Sequence, residues 1–206
     1  MLNKATDIFS NWASLGKDKG MERNHNNAVE TMLDYLVKKQ TVPFEFIDAG
    51  CGNGWVVRKM RNHPLCKRAI GVDGAEGMIQ NAKEIDSEGD YFFQDLMLWS
   101  PKSKVDFIHS MEVLYYFKNP KILISHMLEK WLKPNGRIIS GVDYYLENES
   151  SHSWPKDLNT QMKLLSIQDW KDLFKKCGLI EVEVFQTNAS KNFSGTLIIS
   201  GINRSI

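Results

Sequence analysis

The 206-residue chain has no surplus of either charge, its 26 lysines and arginines standing against 25 aspartates and glutamates. Nucleic-acid binders carry a basic excess gathered on one face, whereas here the basic residues fall in short clusters, "VKK", "KSK" and "FKK", spread along the chain. Nucleic acid is therefore disfavoured as a partner. Cysteine is scarce as well: Cys51, Cys66 and Cys177 are odd in number and show no C-x-x-C spacing, so neither a disulfide framework nor a zinc site is indicated and no metal is expected. A reducing compartment fits this usage. Nowhere do eighteen apolar residues run together, and the N-terminal stretch "MLNKATDIFSNWASLGKDKG" has no apolar core of signal-peptide length. The expectation is a cytoplasmic, soluble protein with no membrane partner.

What is present, 42% hydrophobic and 25% charged residues, suits one globular α/β domain with a core that needs no staples. From position 44 onward, short β-rich runs alternate with helical patterns: "FEFIDAG", "VVRKMRNHP", "RAIGVDG", "AEGMIQNAKEID" and "DYFFQDL". Such alternation argues for parallel strands joined by crossover helices. "KVDFIHSM" and "GRIISGVDYY" supply a fourth and a fifth strand. Between them, Ile122, Leu123, Met127, Leu128, Trp131 and Leu132 keep helical spacing, with Pro134 and Gly136 closing the helix. "LSIQDWKDLFKKCG" reads as a capped helix, with Ser166 as N-cap and Asp169 three residues on. "LIEVEVFQ" and "GTLIISGI" then follow with only a short loop between them, which makes them an antiparallel hairpin.

The stretch "IDAGCGNGW", positions 47–55, places three glycines after the first strand. Its spacing is G-x-G-x-G, and the dinucleotide fingerprint is G-x-G-x-x-G. Charge discriminates better than spacing. Asp48 precedes the first glycine by two residues, where a carboxylate repels a pyrophosphate and attracts a cation. Asp73 ends the second strand, placed to accept from both hydroxyls of a ribose. Asp95 follows the third strand, placed to accept from an adenine amino group. Three carboxylates at three successive strand ends describe a ligand with an amine, a ribose and an adenine but no phosphate. An NAD-dependent dehydrogenase conflicts with both the spacing and Asp48.

At "FIDAGCGNGW", "AIGVDGAEGMIQNAKE", "YFFQDL", "VDFIHSMEVLYYF" and "LKPNGRIISGV", the sequence resembles the class I S-adenosylmethionine-dependent methyltransferases. The resemblance spans roughly positions 44 to 142. It implies a Rossmann-like three-layer α/β sandwich around a seven-stranded, mostly parallel sheet in the order 3-2-1-4-5-7-6, with the hairpin as its last two strands. It also implies S-adenosyl-L-methionine as cofactor and S-adenosyl-L-homocysteine as product. On that resemblance Asp48, Gly50 and Gly52 line the methionine moiety, with the Cys51 thiol between them as packing. Asp73 and Gly74 then hold the ribose, Met78 packs on the adenine face, Asp95 and Leu96 read the adenine edge, and the backbone at Ser110 and Met111 closes over the amine. The chain divides into a helical cap or lid (1–43), a cofactor-binding core (44–142), a substrate loop (143–165) and a C-terminal helix with its hairpin (166–206).

Methyl transfer from a sulfonium needs alignment and desolvation, and at most a base. No Asn/Asp-Pro-Pro-Tyr/Phe motif follows the fourth strand, which counts against methylation of nucleic-acid bases. Instead Glu112 and Tyr115 are placed to face a substrate, and Val113, Leu114 and Phe117 belong to the core. Asp143 emerges from the fifth strand near where an acceptor nucleophile would lie. It opens the longest irregular stretch, with Tyr144, Tyr145, His152 and Trp154. These aromatics either wall a pocket or cover the end of the sheet. His152, as base, and Asp143 are the catalytic candidates, whereas His109, inside a strand, reads as a satisfied core histidine. Trp12, Glu22, Arg23 and His25 lie in a segment able to close over the cofactor, with Trp12 and Arg23 as candidate substrate contacts. The reading favours a small-molecule acceptor. An RNA or protein methyltransferase, or a non-catalytic cofactor-binding protein of the same fold, are the alternatives.

Overall fold

The computed structural model describes residues 2–204. Its strands are β1 (Phe44–Ala49), β2 (Cys66–Asp73), β3 (Asp90–Phe93), β4 (Val105–Met111), β5 (Leu132–Val142), β6 (Leu179–Thr187) and β7 (Thr196–Asn203). They form one seven-stranded sheet in the order β3-β2-β1-β4-β5-β7-β6. The first five strands run parallel, and β7 lies antiparallel to both β5 and β6. β1 is buried on both faces, as a central parallel strand must be.

Helices cover the two faces. On one side lie α2 (Lys19–Val37), α3 (Trp55–Arg61) and α4 (Glu76–Ile85). Met32, Leu36, Val57, Met60 and Ile79 there pack with Phe46, Phe107, Ile139 and Ile198 of the sheet. On the other side lie α5 (Pro120–His126) and α7 (Ile167–Lys176), whose Leu123, Ile124, Trp170 and Phe174 pack with Ile47, Ile108, Ile138 and Leu197. The apolar face of α2 thus joins the sandwich, and only its first turns reach the strand ends. α1 (Ala5–Ser14) packs on α4, where the Gly77 N–H donates to Ser10 Oγ at 2.8 Å. α7 carries the capping box read from Ser166 and Asp169.

The chain between α5 and β5 departs from the sequence reading. The helix widens into a π-helical turn over Met127–Trp131 and the strand begins at Leu132. Trp131 is fully buried and its Nε1–H donates to the Trp99 carbonyl at 2.9 Å, which fixes where the helix must stop. Pro134, Asn135 and Gly136 therefore shape an irregularity inside β5, between the Val105–Leu132 and Phe107–Arg137 pairs, rather than closing the helix. The 143–165 loop holds a 3₁₀ turn (Glu149–Ser151) and a short helix, α6 (Trp154–Asp157). Among the described residues, no helix is long and apolar enough to cross a membrane.

Candidate active site

The loop from β1 to α3 sits at the carboxyl ends of the central strands. Gly50 has φ 78°, and a Cβ there would collide with the Val113 side chain, so any other residue is strained at this turn. The N–H groups of Gly50 and Cys51 both donate to the Val72 carbonyl, at 2.8 and 3.2 Å, tying the loop to β2. A second tie comes from the N-terminal segment. Asp18, just before α2 and 1% exposed, accepts from Asn53 Nδ2 at 3.0 Å and from Asn81 Nδ2 at 3.2 Å. The α1–α2 turn is thereby fastened to the glycine loop and to α4. Sequence reasoning missed Asp18 and Asn53, because nothing local joins such distant segments.

Beneath the loop lies a narrow cleft of about 40 Å³, lined among others by Met21, His25, Asp48, Asn53, His109 and Glu112. Asp48 Oδ1 lies 2.7 Å from His109 Nδ1, and both side chains are buried. A carboxylate only accepts, so the imidazole donates from Nδ1. His109 Nε2 remains buried without a hydrogen-bond partner. His109 is thus half satisfied rather than fully so, and it faces the cleft.

Asp73 accepts from the Gly52 N–H at 2.8 Å and from the Ala75 N–H at 2.7 Å. The residue as a whole keeps some exposure, yet burial of its carboxylate among the loop atoms pushes its pKa up to about 6 against the pull of those N–H groups. Each oxygen retains lone-pair capacity for a further donor.

The cleft's other wall is acidic. Glu112 holds a left-handed backbone at φ 60°, one of its carboxylate oxygens accepting from the Asp143 N–H and the other from the Tyr115 hydroxyl at 2.7 Å. Burial, with the Asp143 charge beside it, holds the Glu112 carboxyl well above its ordinary range. Asp143 is 7% exposed, and burial raises its carboxyl too, tempered by Thr196 and His25. Asp143 Oδ2 stands 3.8 Å from His25 Nε2.

The remaining candidates are dispersed around this centre. Met78 is buried in a small cluster with Ala13 and Ala75, against which Phe9, Trp12 and Met21 pack, so Trp12 lies on the Met78 side. Gly74 faces Thr6 of α1. Leu96 belongs to the main core, whereas Asp95 is exposed and accepts from the Met97 N–H at 2.8 Å. Ser110 Oγ donates to the Ala49 carbonyl at 3.0 Å, joining β4 to β1, and Met111 lines the cleft. Cys51 is buried, its thiol pushed well up by burial and by Asp73 and Asp48. Arg23 is exposed on α2.

Tyr144 is buried between Tyr115 and Trp154, and the fully buried Tyr145 donates its hydroxyl to the Gly195 carbonyl at 2.8 Å. His152 is exposed and directs Nε2 to the Leu146 carbonyl at 3.1 Å, and it does not line the cleft. His25, read only as part of a closing segment, is instead the histidine that meets Asp143.

A sheet in this order, with an acid-flanked glycine loop at its centre, defines a class I S-adenosylmethionine-dependent methyltransferase. The methyltransferase domain family matches residues 21–184, and the chain belongs to that family. Malonyl-[acyl-carrier protein] O-methyltransferase 2 of Ilyobacter polytropus is 32% identical over 146 residues, covering 68% of this chain and 56% of the relative. The chain thus spans little more than half the length of that curated relative. Among solved structures, a chain from the complex between the Haloferax volcanii Trm112 methyltransferase activator and a methyltransferase is 25% identical, with a TM-score of 0.80 over 97% of this chain and 99% of that one. Magnesium protoporphyrin IX methyltransferase from Synechocystis, solved with its methyl donor bound, shares the fold at a TM-score of 0.70 and 18% identity, over 100% and 99% of the two chains.

The methyl donor of this class, S-adenosyl-L-methionine, fits the residues present. A Cβ at Gly52 would stand in van der Waals contact with Met21 Cε at 3.7 Å and Met78 Sδ at 3.9 Å, so flexible methionine side chains border the loop there. The orphaned His109 Nε2 and the two-oxygen acceptor of Asp73 supply polar partners for an ammonium group and a ribose.

Proposed function

We propose that the protein transfers a methyl group from S-adenosyl-L-methionine to a small-molecule acceptor held against Glu112, Asp143 and His25. The observation that carries this reading is the acidic wall adjoining the glycine loop, in which Glu112 is locked by Tyr115 and by the Asp143 backbone. A wall so enclosed suits a compact acceptor better than a polymer. An anionic wall suits an amine or another small polar compound, whereas the Ilyobacter relative is named for an acyl-carrier-bound malonyl acceptor.

The sulfonium supplies the methyl group by in-line displacement, so this chain's residues contribute position and dryness. Alignment of that kind contributes roughly 7 to 11 kcal/mol. Asp48, with His109 behind it, takes the methionine ammonium, Gly50 and Gly52 lie along the chain of that moiety, and the Ser110–Met111 backbone closes over it. Asp73 and Gly74 take the ribose, while Met78, Leu96 and Asp95 border the adenine. Tyr115, Tyr144 and Trp154 back the acceptor side. A cytoplasmic location fits three free cysteines.

Calorimetric titration with S-adenosylmethionine, S-adenosylhomocysteine and NAD tests the donor, and labelled methyl transfer to panels of small acids and amines tests the acceptor. Preferential binding of NAD would sink the reading. A second reading, favoured by the likeness to the chain from the Trm112 complex, has the protein work together with a Trm112-type activator. Transfer seen only after adding such an activator would establish it.

A further inference from the structure

We propose that His25, Glu112 and Asp143, the wall assigned above to the acceptor, form a binding site for one divalent transition-metal ion beside the cleft, an inference that goes beyond the proposed transfer and is tested without it. Each residue offers one ligand atom, an imidazole nitrogen or a carboxylate oxygen, and the three atoms lie within 4.8 Å of one another. They come from α2 and from the ends of β4 and β5, so no spacing motif in the sequence announces them.

The hydrogen bonding around the trio determines what each atom can do. His25 Nδ1 lies 3.0 Å from the Met21 carbonyl, which only accepts, so Nδ1 carries a proton. In the neutral ring Nε2 is then a bare lone pair, and it faces Asp143 Oδ2 at 3.8 Å. Glu112 is likewise pinned from behind by Tyr115 and by the Asp143 N–H. Asp143 is more than nine-tenths buried, and its Oδ1 has no hydrogen-bond partner. The ligand atoms of the three residues converge, with Thr196 also hydrogen-bonded to the Asp143 carboxyl.

Metal centres have this arrangement. A ligating histidine donates its other N–H to a carbonyl or carboxylate, and ligating carboxylates are hydrogen-bonded from outside. Ligands about 2.1 Å from a tetrahedral metal stand about 3.4 Å apart, so the 3.8 Å between His25 Nε2 and Asp143 Oδ2 closes to that spacing with a small side-chain adjustment. Two carboxylates match the charge of a divalent ion and accept manganese, and the imidazole favours iron, nickel, copper or zinc over magnesium or calcium. With three protein ligands, open positions remain toward the cleft that His25 and Glu112 line.

The test is titration of the full chain, without methyl donor, with MnCl2 followed by electron paramagnetic resonance, and with ZnCl2 and MgCl2 by calorimetry. One equivalent of manganese or zinc should bind, with magnesium weaker. His25→Ala and Asp143→Asn, each shown by thermal melting to be folded, remove direct ligands and should weaken binding by at least the roughly 100-fold that marks the upper end for losing an outer-shell partner. Failure of manganese and zinc to bind stoichiometrically overturns the site, as does binding that both variants leave unchanged.

Discussion

Asp48 and His109 stand opposite each other on neighbouring parallel strands, Oδ1 and Nδ1 2.7 Å apart, with neither residue more than 2% exposed. The contact supports a buried carboxylate at the start of the glycine loop. It also leaves one ring nitrogen turned to the cleft with nothing to bind.

His109→Ala should therefore cost twice. Stripping a buried carboxylate of its donor destabilises the fold by about 2 to 4 kcal/mol, readable by urea unfolding. Affinity for S-adenosylmethionine should fall as well, because Asp48 loses its orientation. Wild-type stability in the variant would show that the pair supports nothing.

Asp73 predicts a pH effect with opposite signs for binding and folding. Its pKa is raised from 3.8 to about 6, with burial the chief cause. The folded chain therefore holds that proton more tightly than the unfolded chain, and the free protein's stability gains from this group as pH falls from about 6 toward 3.8. A ribose needs the anionic acceptor, so donor affinity moves the other way, weakening about 10-fold at one pH unit below the pKa. Calorimetry from pH 7.5 to 5 on wild type and Asp73→Asn checks both. A wild-type affinity flat across that range would remove Asp73 from the ligand.

The parts legible in the sequence were those written in local pattern. Alternating strands and helices, the Gly50–Gly52–Gly54 loop and the Ser166 cap each depend on neighbours a few residues away. The π-helical turn before Leu132 is set by where Trp131 finds the Trp99 carbonyl, a tertiary contact. Registry hid more. That His109 faces Asp48 depends on how β4 slides along β1, and a histidine in a strand looks the same whether satisfied or poised. His25 meets Asp143 only because α2 packs across β4 and β5, whereas His152, attractive for its place on a loop, spends its Nε2 on that loop's own carbonyls. Site roles for exposed Asp95 and Arg23 were read from position alone, and position along the chain carries no information on burial.

Gly50→Ala tests the loop geometry directly. The residue sits at φ 78°, and a methyl group would strike Val113. The left-handed backbone costs about 1 to 2 kcal/mol, and the collision adds about 1 to 3 kcal/mol. Stability and donor affinity should fall together, and a second change, Val113→Ala, should recover only the part due to collision. Full recovery would mean that the backbone conformation is unimportant.

Tyr145 and Tyr144 separate packing from acceptor binding. Tyr145 is fully buried, donates to the Gly195 carbonyl at 2.8 Å and accepts from Gln186 Nε2 at 2.8 Å, so it clasps the 143–165 loop to the β6–β7 hairpin. Tyr145→Phe removes one hydroxyl and strands its partners, costing about 1 to 2 kcal/mol of stability. Its hydroxyl is spent on the hairpin, so donor affinity and turnover at a permissive temperature should hold. Tyr144, stacked with Trp154 and tilted against Tyr115, touches the residue that pins Glu112. Tyr144→Ala should accordingly lower turnover with donor affinity kept. Loss of turnover in Tyr145→Phe at full stability would move that hydroxyl from the clasp to the acceptor, because a merely structural hydroxyl acts on rate only through the fraction of chain that is folded.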